Sequence, residues 1–394
     1  MGFVAFLFWL AVGLTVYTYF GYPILLLVVT AFVQTGRDLR YLFRRGTRRK
    51  TSVDDAGLPS VSLLIPAYNE EAAIADKLEN CLALDYPPDK LEVIVGSDGS
   101  DDGTNAAVAS FADRGVSLAA YDERRGKPSV INDTVGGARG EIVVLSDATT
   151  MIEPDALRNL VRHFAQPEVA AVNGELRFQS PDDRHRGEGL YWRYEVMIKF
   201  MENRLGVVLG SSGALCAVRK SAYRPIPADC ICDDLVITLD VMLHGHRAVY
   251  DPEAQSVEQT AGSVAMESRR RERIGAGNFQ ALGLTAALLN PLRGWVAWCY
   301  LSHKIFKWVT WVFLVVALVA NVILIARPLY AALFAAQVLF YGSAWLDARG
   351  VRLPGLSAPG RITHYFVAMH LALFRGFRRH VRGTQEVAWE REHR

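Results

Sequence analysis

The apolar residues of this chain are concentrated in stretches near its two ends. Residues 3–33 contain no charged side chain, and residues 305–326 and 329–346 are almost entirely apolar. A helix of about 20 apolar residues is long enough to cross the hydrocarbon core of a bilayer. The pattern therefore predicts one transmembrane helix before a long central region and two after it.

The central region alternates short apolar runs with stretches of helical spacing. Residues 61–71 have the pattern of a strand, a loop and a helix start, and further strands are predicted within residues 91–96 and 141–150. Helical patterns at residues 74–84 and 106–114 lie between them. This β-α-β-α order predicts an α/β fold with a largely parallel sheet, whose strand ends carry the ligand-binding loops.

These patterns place a cytoplasmic α/β domain between transmembrane helices. A shorter apolar stretch at residues 362–374 contains two histidines and precedes several arginines, which favours a helix in the membrane interface over another span. The predicted segments are an N-terminal transmembrane helix at 1–36, a basic linker at 37–58, the α/β domain at 59–290, an interfacial segment at 291–304, two transmembrane helices at 305–346, and an interfacial helix with a tail at 347–394.

The distribution of charge predicts the orientation in the membrane. Basic residues crowd residues 37–50, directly after the first apolar stretch, and the positive-inside rule keeps such a segment in the cytoplasm. We therefore expect a multi-pass protein of the cell's inner (plasma) membrane with a cytoplasmic catalytic domain. The basic residues flank membrane segments and form no stripe with aromatic residues, which disfavours nucleic acid as a partner.

The cysteines do not indicate a disulfide framework. The chain has five, and their spacing is irregular. Cys230 and Cys232 form a C-x-C pair with two histidines downstream, which leaves a zinc site as a minor alternative. Reduced thiols in a cytoplasmic domain are the simpler interpretation.

Acidic residues follow two of the predicted strands. Asp98 lies in S-D-G-S-D-D-G-T and Asp147 in S-D-A-T-T. Ligands bind at the carboxyl edge of an open α/β sheet, and acids there suit a nucleotide that carries a divalent cation on its phosphates. Asp, Gly and Ser are also ordinary turn residues, so either motif alone is also explained by a solvated turn.

Two later clusters could complete such a site. Asp233 and Asp234 begin a predicted helix, where a carboxylate can cap the helix or act as a base on an incoming hydroxyl. The arginines within residues 269–273 can anchor the chain at a membrane surface or neutralise a departing diphosphate. We favour the catalytic interpretation because the clusters occur together between membrane segments.

In this order, the motifs resemble those of the membrane-embedded members of glycosyltransferase family 2, relatives of cellulose, chitin, hyaluronan and poly-N-acetylglucosamine synthases. The resemblance covers roughly residues 58–325. It implies a GT-A-like (Rossmann-like) α/β domain. It also implies an inverting glycosyltransferase that uses a nucleotide sugar, expected to be a UDP-sugar, with Mg²⁺ or Mn²⁺.

The resemblance assigns the donor site to three motifs. I-P-A-Y-N-E-E matches the opening strand and loop of the family, which places Pro66, Tyr68 and Glu70 beside the nucleoside. Asp98 falls on the nucleoside-binding position of the first aspartate motif. Lys127, in R-G-K-P, falls on a lysine that is implied to contact the donor phosphate or sugar.

The metal and the catalytic base are implied by two further motifs. S-D-A-T-T matches the D-x-D motif through Asp147, but Thr149 stands where a second metal-ligating aspartate is usual. C-D-D-L matches the T-E-D motif, so Asp234 is the implied general base and Asp233 lies on the acceptor side.

The last motif, R-R-E-R-I, falls on the Q-x-x-R-W sequence of the family. Arg273 keeps the arginine, Arg270 replaces the glutamine, and both are assigned to the donor. Ile274 replaces the tryptophan on which the family stacks its acceptor sugar. Other aromatic residues that could supply an acceptor surface are Tyr191, Trp192 and Phe279.

Three functions follow from these assignments. The first is transfer of sugars to a growing polysaccharide, such as an exopolysaccharide or capsule. Three spans are few for a wide channel, so transfer to a lipid carrier or lipid-linked oligosaccharide is an alternative, although a homo-oligomer could enlarge the path. A catalytically silent nucleotide-binding membrane component would be expected to lack the base or the donor site, whereas Asp98, Asp147 and Asp234 are all present.

Overall fold

A mixed β-sheet lies at the centre of the α/β region. The computed structural model describes residues 1–44, 54–179, 186–211, 214–259, 264–351 and 357–384. The strands within them are β1 Val61–Ala67, β2 Leu91–Asp98, β3 Val116–Tyr121, β4 Ile142–Leu145, β5 Met151–Ile152, β6 Val169–Gln179, β7 Cys216–Arg219 and β8 Arg247–Gln259. These eight strands form one sheet in the order β3-β2-β1-β4-β7-β6-β8-β5.

One half of the sheet is parallel, as the sequence predicts. β1 pairs in parallel with β2 and β4, and β2 pairs in parallel with β3. Every residue of β1 is buried, since both faces of a parallel sheet are covered. The carboxyl ends of β1, β2 and β4 therefore open at the same edge.

The other half of the sheet is mixed, which the sequence pattern did not predict. β7 runs antiparallel to both β4 and β6, and β5 runs antiparallel to β8. The residues of β4 are buried throughout, and a fully buried apolar run carries no signal for the direction of the neighbouring strand.

Helices cover both faces of the sheet and complete two hydrophobic cores, one on each side. The helices of this region are α3 Glu71–Leu82, α4 Thr104–Ala109, α5 Lys127–Gly137, α6 Ala156–Val161, α7 Arg186–Arg204, α8 Asp233–Leu243 and α9 Val264–Thr285.

Apolar helices flank the α/β region on both sides. Helix α1 Gly2–Val16 continues through a π turn, Tyr17–Gly21, into α2 Tyr22–Arg44, and α10 Trp295–Cys299 continues through a π turn, Tyr300–Ile305, into α11 Phe306–Leu324. Helix α12 is Pro328–Ala348. Three described segments, within Gly2–Tyr41, Trp295–Leu324 and Pro328–Ala348, are long and apolar enough to cross a membrane. The chain is therefore membrane-associated.

The stretch predicted as an interfacial helix lies within α13, Ser357–Arg382, which packs along α9. A Cβ atom on Gly376 would lie 2.7 Å from the backbone nitrogen of Ala276, so this glycine lets the two helices touch through their backbones. Glu272 of α9 forms ion pairs with Arg375 at 2.9 Å and Arg379 at 3.1 Å. The contacts fix the orientation of α9, which carries the R-R-E-R-I motif.

Polar side chains join α7 to the apolar helices. The Tyr22 hydroxyl donates to Glu202 Oε1 at 2.6 Å, and His303 Nδ1 lies 2.8 Å from the same oxygen. Two turns earlier in α7, Glu195 contacts His303 Nε2 at 3.2 Å and accepts from Lys307. Each of these two carboxylates therefore has direct partners at the junction between the α/β region and the apolar helices.

The five cysteines are free and buried, as the simpler interpretation of the sequence predicts. Within the part of the chain that the structure describes, no group of three or more His, Cys, Asp or Glu side chains is arranged to hold a metal ion. The C-x-C pair therefore gains no further ligands from the described residues, and the zinc alternative has no support.

Candidate active site

The side chain of Lys127 brings three of the sequence motifs together. Its Nζ lies 2.8 Å from Asp147 Oδ1, in the loop after β4, and 3.2 Å from Asp233 Oδ2, at the start of α8. Burial alone would lower the pKa of Lys127, but the carboxylates of Asp147 and Asp233 outweigh it and raise that pKa. The ammonium is thus held as a cation at the carboxyl edge of the sheet.

Asp98 holds the loop that delivers Lys127. Its two carboxylate oxygens accept the backbone N–H groups of Arg125 at 2.7 Å and Gly126 at 2.9 Å. Gly126 has a φ of 90°, a conformation that favours glycine, and α5 begins at the next residue. Asp98 therefore supports the loop that carries Lys127, and the nucleoside contact assigned to it stays a prediction.

The residues assigned to the nucleoside follow one another along β1 and the loop beyond it. Pro66 is buried in β1 opposite Gly96, whereas Tyr68 and Glu70 are half-buried. The guanidinium carbon of Arg124 lies 3.9 Å from the centroid of the Tyr68 ring. Tyr68 is the aromatic surface of this loop, and the Arg124 guanidinium stacks on it.

Asp234 has the electrostatic environment of a general base. Burial is the largest cause that raises its pKa, to about 7, and the neighbouring Asp233 carboxylate adds to the effect. Lys127 and the backbone N–H of Leu235 act in the opposite direction. A half-buried carboxyl group with a pKa near neutrality can take and return a proton at physiological pH.

Thr149 borders a cavity whose lining does not include Lys127. The cavity has a volume of about 470 Å³ and is also lined by Asp76, Asn80 and Glu153. Asp147, two residues earlier, stays half-exposed beside Lys127. The structure therefore brings Asp147 into the cleft, and the metal contact of Thr149 stays a prediction.

The fully buried lysine Lys77 supports the loop of Asp147, and the sequence interpretation missed it. Lys77 Nζ donates to Ser146 Oγ at 2.8 Å and to the carbonyl oxygen of Thr150. Burial lowers its pKa. A signal was present, because Lys77 falls at helical spacing between the apolar residues Ile74 and Cys81 of α3.

Replacing Lys77 with methionine should loosen this loop. The Thr150 carbonyl loses its buried donor, which costs about 1–3 kcal/mol of unfolding free energy. We expect the donor KM to rise by about tenfold, because a displaced Asp147 binds the donor less well. Lys90→Met is the control, since the Lys90 ammonium donates to three carbonyl oxygens of residues 55–58, which precede β1 at the opposite edge of the sheet. An unchanged donor KM in folded Lys77→Met protein would contradict this role.

Helix α9 brings Arg273 to the start of α8. The Gln280 side chain accepts from the backbone N–H of Ile231 at 3.0 Å and donates to the Asp229 carbonyl at 2.8 Å, so α9 is fixed to the loop before Asp233. Arg273 is half-buried and interacts electrostatically with Cys232, which precedes Asp233. Arg270 is exposed, and Ile274 is 38% exposed at the position where the family has tryptophan.

The aromatic residues proposed for the acceptor are in different environments. Trp192 lines a cavity of about 380 Å³ between α7 and β8. Phe279 is buried, with its ring centroid 5.0 Å from Phe377 and 6.5 Å from Trp308. The expectation that Phe279 offers an acceptor surface is therefore wrong, because its ring fills the core between α9, α11 and α13. The side chain of Tyr191 lies outside the described residues.

Comparisons with known proteins agree with the motifs. The family model described as "Glycosyltransferase like family 2" matches residues 59–277. The chain is similar to the poly-beta-1,6-N-acetyl-D-glucosamine synthase of Staphylococcus aureus strain COL, at 27% identity over 257 residues, or 62% of this chain and 60% of the relative. The synthase of Staphylococcus epidermidis is 27% identical over 233 residues, or 56% of this chain and 55% of that relative. The chain thus spans less than two thirds of these curated relatives.

The structure is similar to that of a mannosyltransferase from Pyrobaculum calidifontis, solved in complex with GDP-Man and Mn²⁺. The TM-score is 0.68 at 24% sequence identity, and the match covers 95% of this chain and 99% of that chain. This likeness confirms the predicted GT-A fold.

Proposed function

The chain belongs to the glycosyltransferase-like family 2, and we therefore propose that it transfers a sugar from a UDP-sugar to a growing polysaccharide at the membrane. The polysaccharide acceptor is supported by the synthases that the chain resembles.

One observation carries the proposal, the convergence of Lys127, Asp147 and Asp233 beside Asp234. The Lys127 ammonium contacts the carboxylates of Asp147 and Asp233, and the pKa of Asp234 is raised to about 7. A donor diphosphate needs cations, and an acceptor hydroxyl needs a base, within one cleft. This cluster supplies both.

In the proposed reaction, Asp234 takes the proton of an acceptor hydroxyl. The hydroxyl oxygen bonds to the anomeric carbon from the face opposite the diphosphate, whose bond to that carbon breaks with its electron pair. A single displacement inverts the configuration and requires one catalytic carboxylate. Lys127 and Arg273 offset the negative charge that develops on the departing diphosphate.

The residues at the edge of the sheet fit a divalent cation. Asp147 and Asp233 already share one positive charge, the Lys127 ammonium, so this position accepts a cation. Mg²⁺ is commonly held by one or two carboxylates together with substrate phosphates and water. We propose that Asp147 holds Mg²⁺ or Mn²⁺ with the donor diphosphate. The ion would neutralise phosphate charge.

The proposed orientation places the α/β domain in the cytoplasm. Reporter proteins fused after Lys50 and at the carboxyl terminus should both report a cytoplasmic location. Basic residues crowd the end of α2 and the residues after it, and a second group of basic residues lies in α13. A fusion after Arg327, between α11 and α12, serves as the external control. An external carboxyl terminus would mean that α13 crosses the membrane and would contradict this topology.

The donor and the product are identified by one experiment. Membranes that contain the protein are incubated with a panel of radiolabelled UDP-sugars, and the product is sized. A long polymer is the expected result. A short product that extracts with lipids would favour the lipid-linked alternative, and no incorporation from any UDP-sugar would contradict the proposed donor.

A further inference from the structure

Helix α9 packs between two other parts of the chain, and one of its packed faces carries Arg273. The side chain of Gln280 bonds to two backbone groups of the loop that leads into α8, and a Cβ atom on Gly277 would overlap the sulfur of Cys232 in the same loop. Residues four and seven positions apart lie on one face of a helix. Arg273 therefore shares the face of α9 that lies against the start of α8.

The second packed face of α9 lies against α13 and carries Glu272. Glu272 Oε1 lies 2.9 Å from Arg375 Nη1, and Glu272 Oε2 lies 3.1 Å from Arg379 Nη2. Gly376 follows the first of these arginines, and a Cβ atom on this glycine would lie 2.8 Å from the carbonyl oxygen of Glu272. The carboxylate is therefore held where the backbones of the two helices touch.

Helix α13 is in turn attached to the apolar helices, so it is a fixed support for α9. His364 Nδ1 lies 2.8 Å from Asp347 Oδ2, at the end of α12. His370 Nε2 lies 2.8 Å from the hydroxyl oxygen of Tyr19, in the π turn between α1 and α2. The ion pairs of Glu272 thus connect α9 to apolar helices that precede and follow the α/β region.

Glu272 directly precedes Arg273 in R-R-E-R-I, at a position to which the family resemblance assigns no role. Both of its carboxylate oxygens contact arginines of α13, so Glu272 acts on the reaction only through the position of α9. A displacement of about 1 Å in a group that contacts the reacting atoms can lower a rate by about 10²-fold. The ion pairs of Glu272 therefore determine how precisely Arg273 is placed.

We propose that Glu272 is a positioning residue for sugar transfer. Held by Arg375 and Arg379, it fixes the turn of α9 from which Arg273 reaches the donor diphosphate. The inference rests on the proposed function, in which Arg273 offsets the negative charge on the departing diphosphate. Glu272 itself exchanges no proton and contacts no substrate.

Binding of UDP and of uridine to the full chain in nanodiscs, with Mn²⁺ present, tests this role by calorimetry. Uridine lacks the diphosphate that Arg273 is proposed to contact. Glu272→Gln should weaken UDP binding by about tenfold, the effect of one misplaced charge-assisted hydrogen bond, and should leave the affinity for uridine unchanged. A purely structural role would leave the ratio of the two affinities as it is in the unaltered protein.

A double-mutant cycle tests whether Glu272 acts through Arg273. If it does, adding Glu272→Gln to Arg273→Ala should cause no further loss of UDP affinity, because the group being positioned is already absent. The same comparison is made for kcat with a radiolabelled UDP-sugar. Losses from the two substitutions that multiply would overturn the proposal.

A second variant disturbs the same contact without removing a charge. Gly376→Ala places a methyl group 2.7 Å from the backbone nitrogen of Ala276, so α13 must shift away from α9. We expect the same selective loss of UDP affinity. An unchanged ratio of UDP to uridine affinity in both Glu272→Gln and Gly376→Ala would overturn the proposal.

Two controls keep the contact intact. The double variant Arg375→Lys/Arg379→Lys retains both positive charges and should keep most of the UDP affinity. Arg378→Ala removes an exposed cation of the same helix that forms no ion pair with any residue the structure describes, so UDP affinity should not change. Glu272→Gln should lower the thermal unfolding temperature little, because the two arginines it leaves are 54% and 42% exposed.

UDP binding to the unaltered chain separates this inference from the proposed function. If the unaltered chain binds no UDP and transfers no sugar, the proposed function is wrong, and the role of Glu272 that rests on it is wrong as well. Normal binding and turnover in the unaltered chain, with the same values in Glu272→Gln, would leave the transferase and remove the role of Glu272.

Discussion

Replacing Asp234 with asparagine is expected to reduce sugar transfer by about 10²–10⁴-fold, the usual contribution of a general base. The amide keeps the size of the side chain but cannot accept the hydroxyl proton. UDP should still bind, because Lys127 and Asp147 remain in contact with each other. Initial rates with a radiolabelled UDP-sugar and UDP binding by calorimetry measure the two effects. Full activity in this variant would remove Asp234 from the mechanism.

The dependence of the rate on pH gives an independent readout of the same group. The reaction requires the deprotonated carboxylate, and its pKa is about 7, so kcat/KM should fall as the pH drops below 7. Asp233→Asn removes a neighbouring negative charge that raises this pKa, so the same fall should occur at lower pH in that variant. If kcat/KM falls at the same pH in Asp233→Asn as in the unaltered protein, a group other than Asp234 controls this fall.

Replacing Lys127 with methionine is the second change with a large expected effect. Lys127 is the one positive charge in direct contact with both Asp147 and Asp233 among the described residues, and it is proposed to meet the donor diphosphate. Removing one group that stabilises developing negative charge commonly costs about 10²–10³-fold in rate. We expect a loss of this size in kcat/KM, together with weaker UDP binding.

Two controls separate catalysis from folding. Lys127→Arg keeps the charge but changes its geometry, so partial activity is expected. Lys220→Met removes a lysine whose ammonium bonds to the Ala138 carbonyl and not to the cleft, so activity should be retained. Thermal unfolding must be measured for each variant, because unpaired carboxylates destabilise a folded chain. A folded Lys127→Met protein with normal UDP affinity and turnover would make Lys127 only a structural ion pair.

The sequence predicted the parallel half of the fold and the edge at which the site lies. Apolar runs that end in Asp98 and Asp147 are enough for this, because the carboxyl ends of parallel strands open on one side of a sheet. The direction of β7 was not predictable, because its apolar run is buried and pairs with antiparallel neighbours on both sides. The strand directions in the mixed half of the sheet therefore could not be predicted from the sequence pattern.

The contacts within the site also could not be predicted from the sequence. The motif order indicates that Lys127 and Asp233 belong to one cleft, but not that the ammonium bridges Asp147 and Asp233. This bridge depends on how far the Lys127 side chain reaches across the carboxyl edge of the sheet, which is formed by segments far apart in the sequence. Lys77 shows a different limit. A lysine in an apolar helical pattern is buried here because Ser146 Oγ and the Thr150 carbonyl accept hydrogen bonds from its ammonium.

Lys127, Asp147 and Asp234 are proposed to line the cleft in which the donor diphosphate binds. The most direct measurement is a cryo-electron microscopy structure of the full chain in nanodiscs with UDP and Mn²⁺. The diphosphate should lie within hydrogen-bonding distance of Lys127, with Mn²⁺ held by the diphosphate and Asp147. Asp234 should face the same cleft. A diphosphate bound in the cavity of Thr149 and Asp76, away from Asp234, would contradict it.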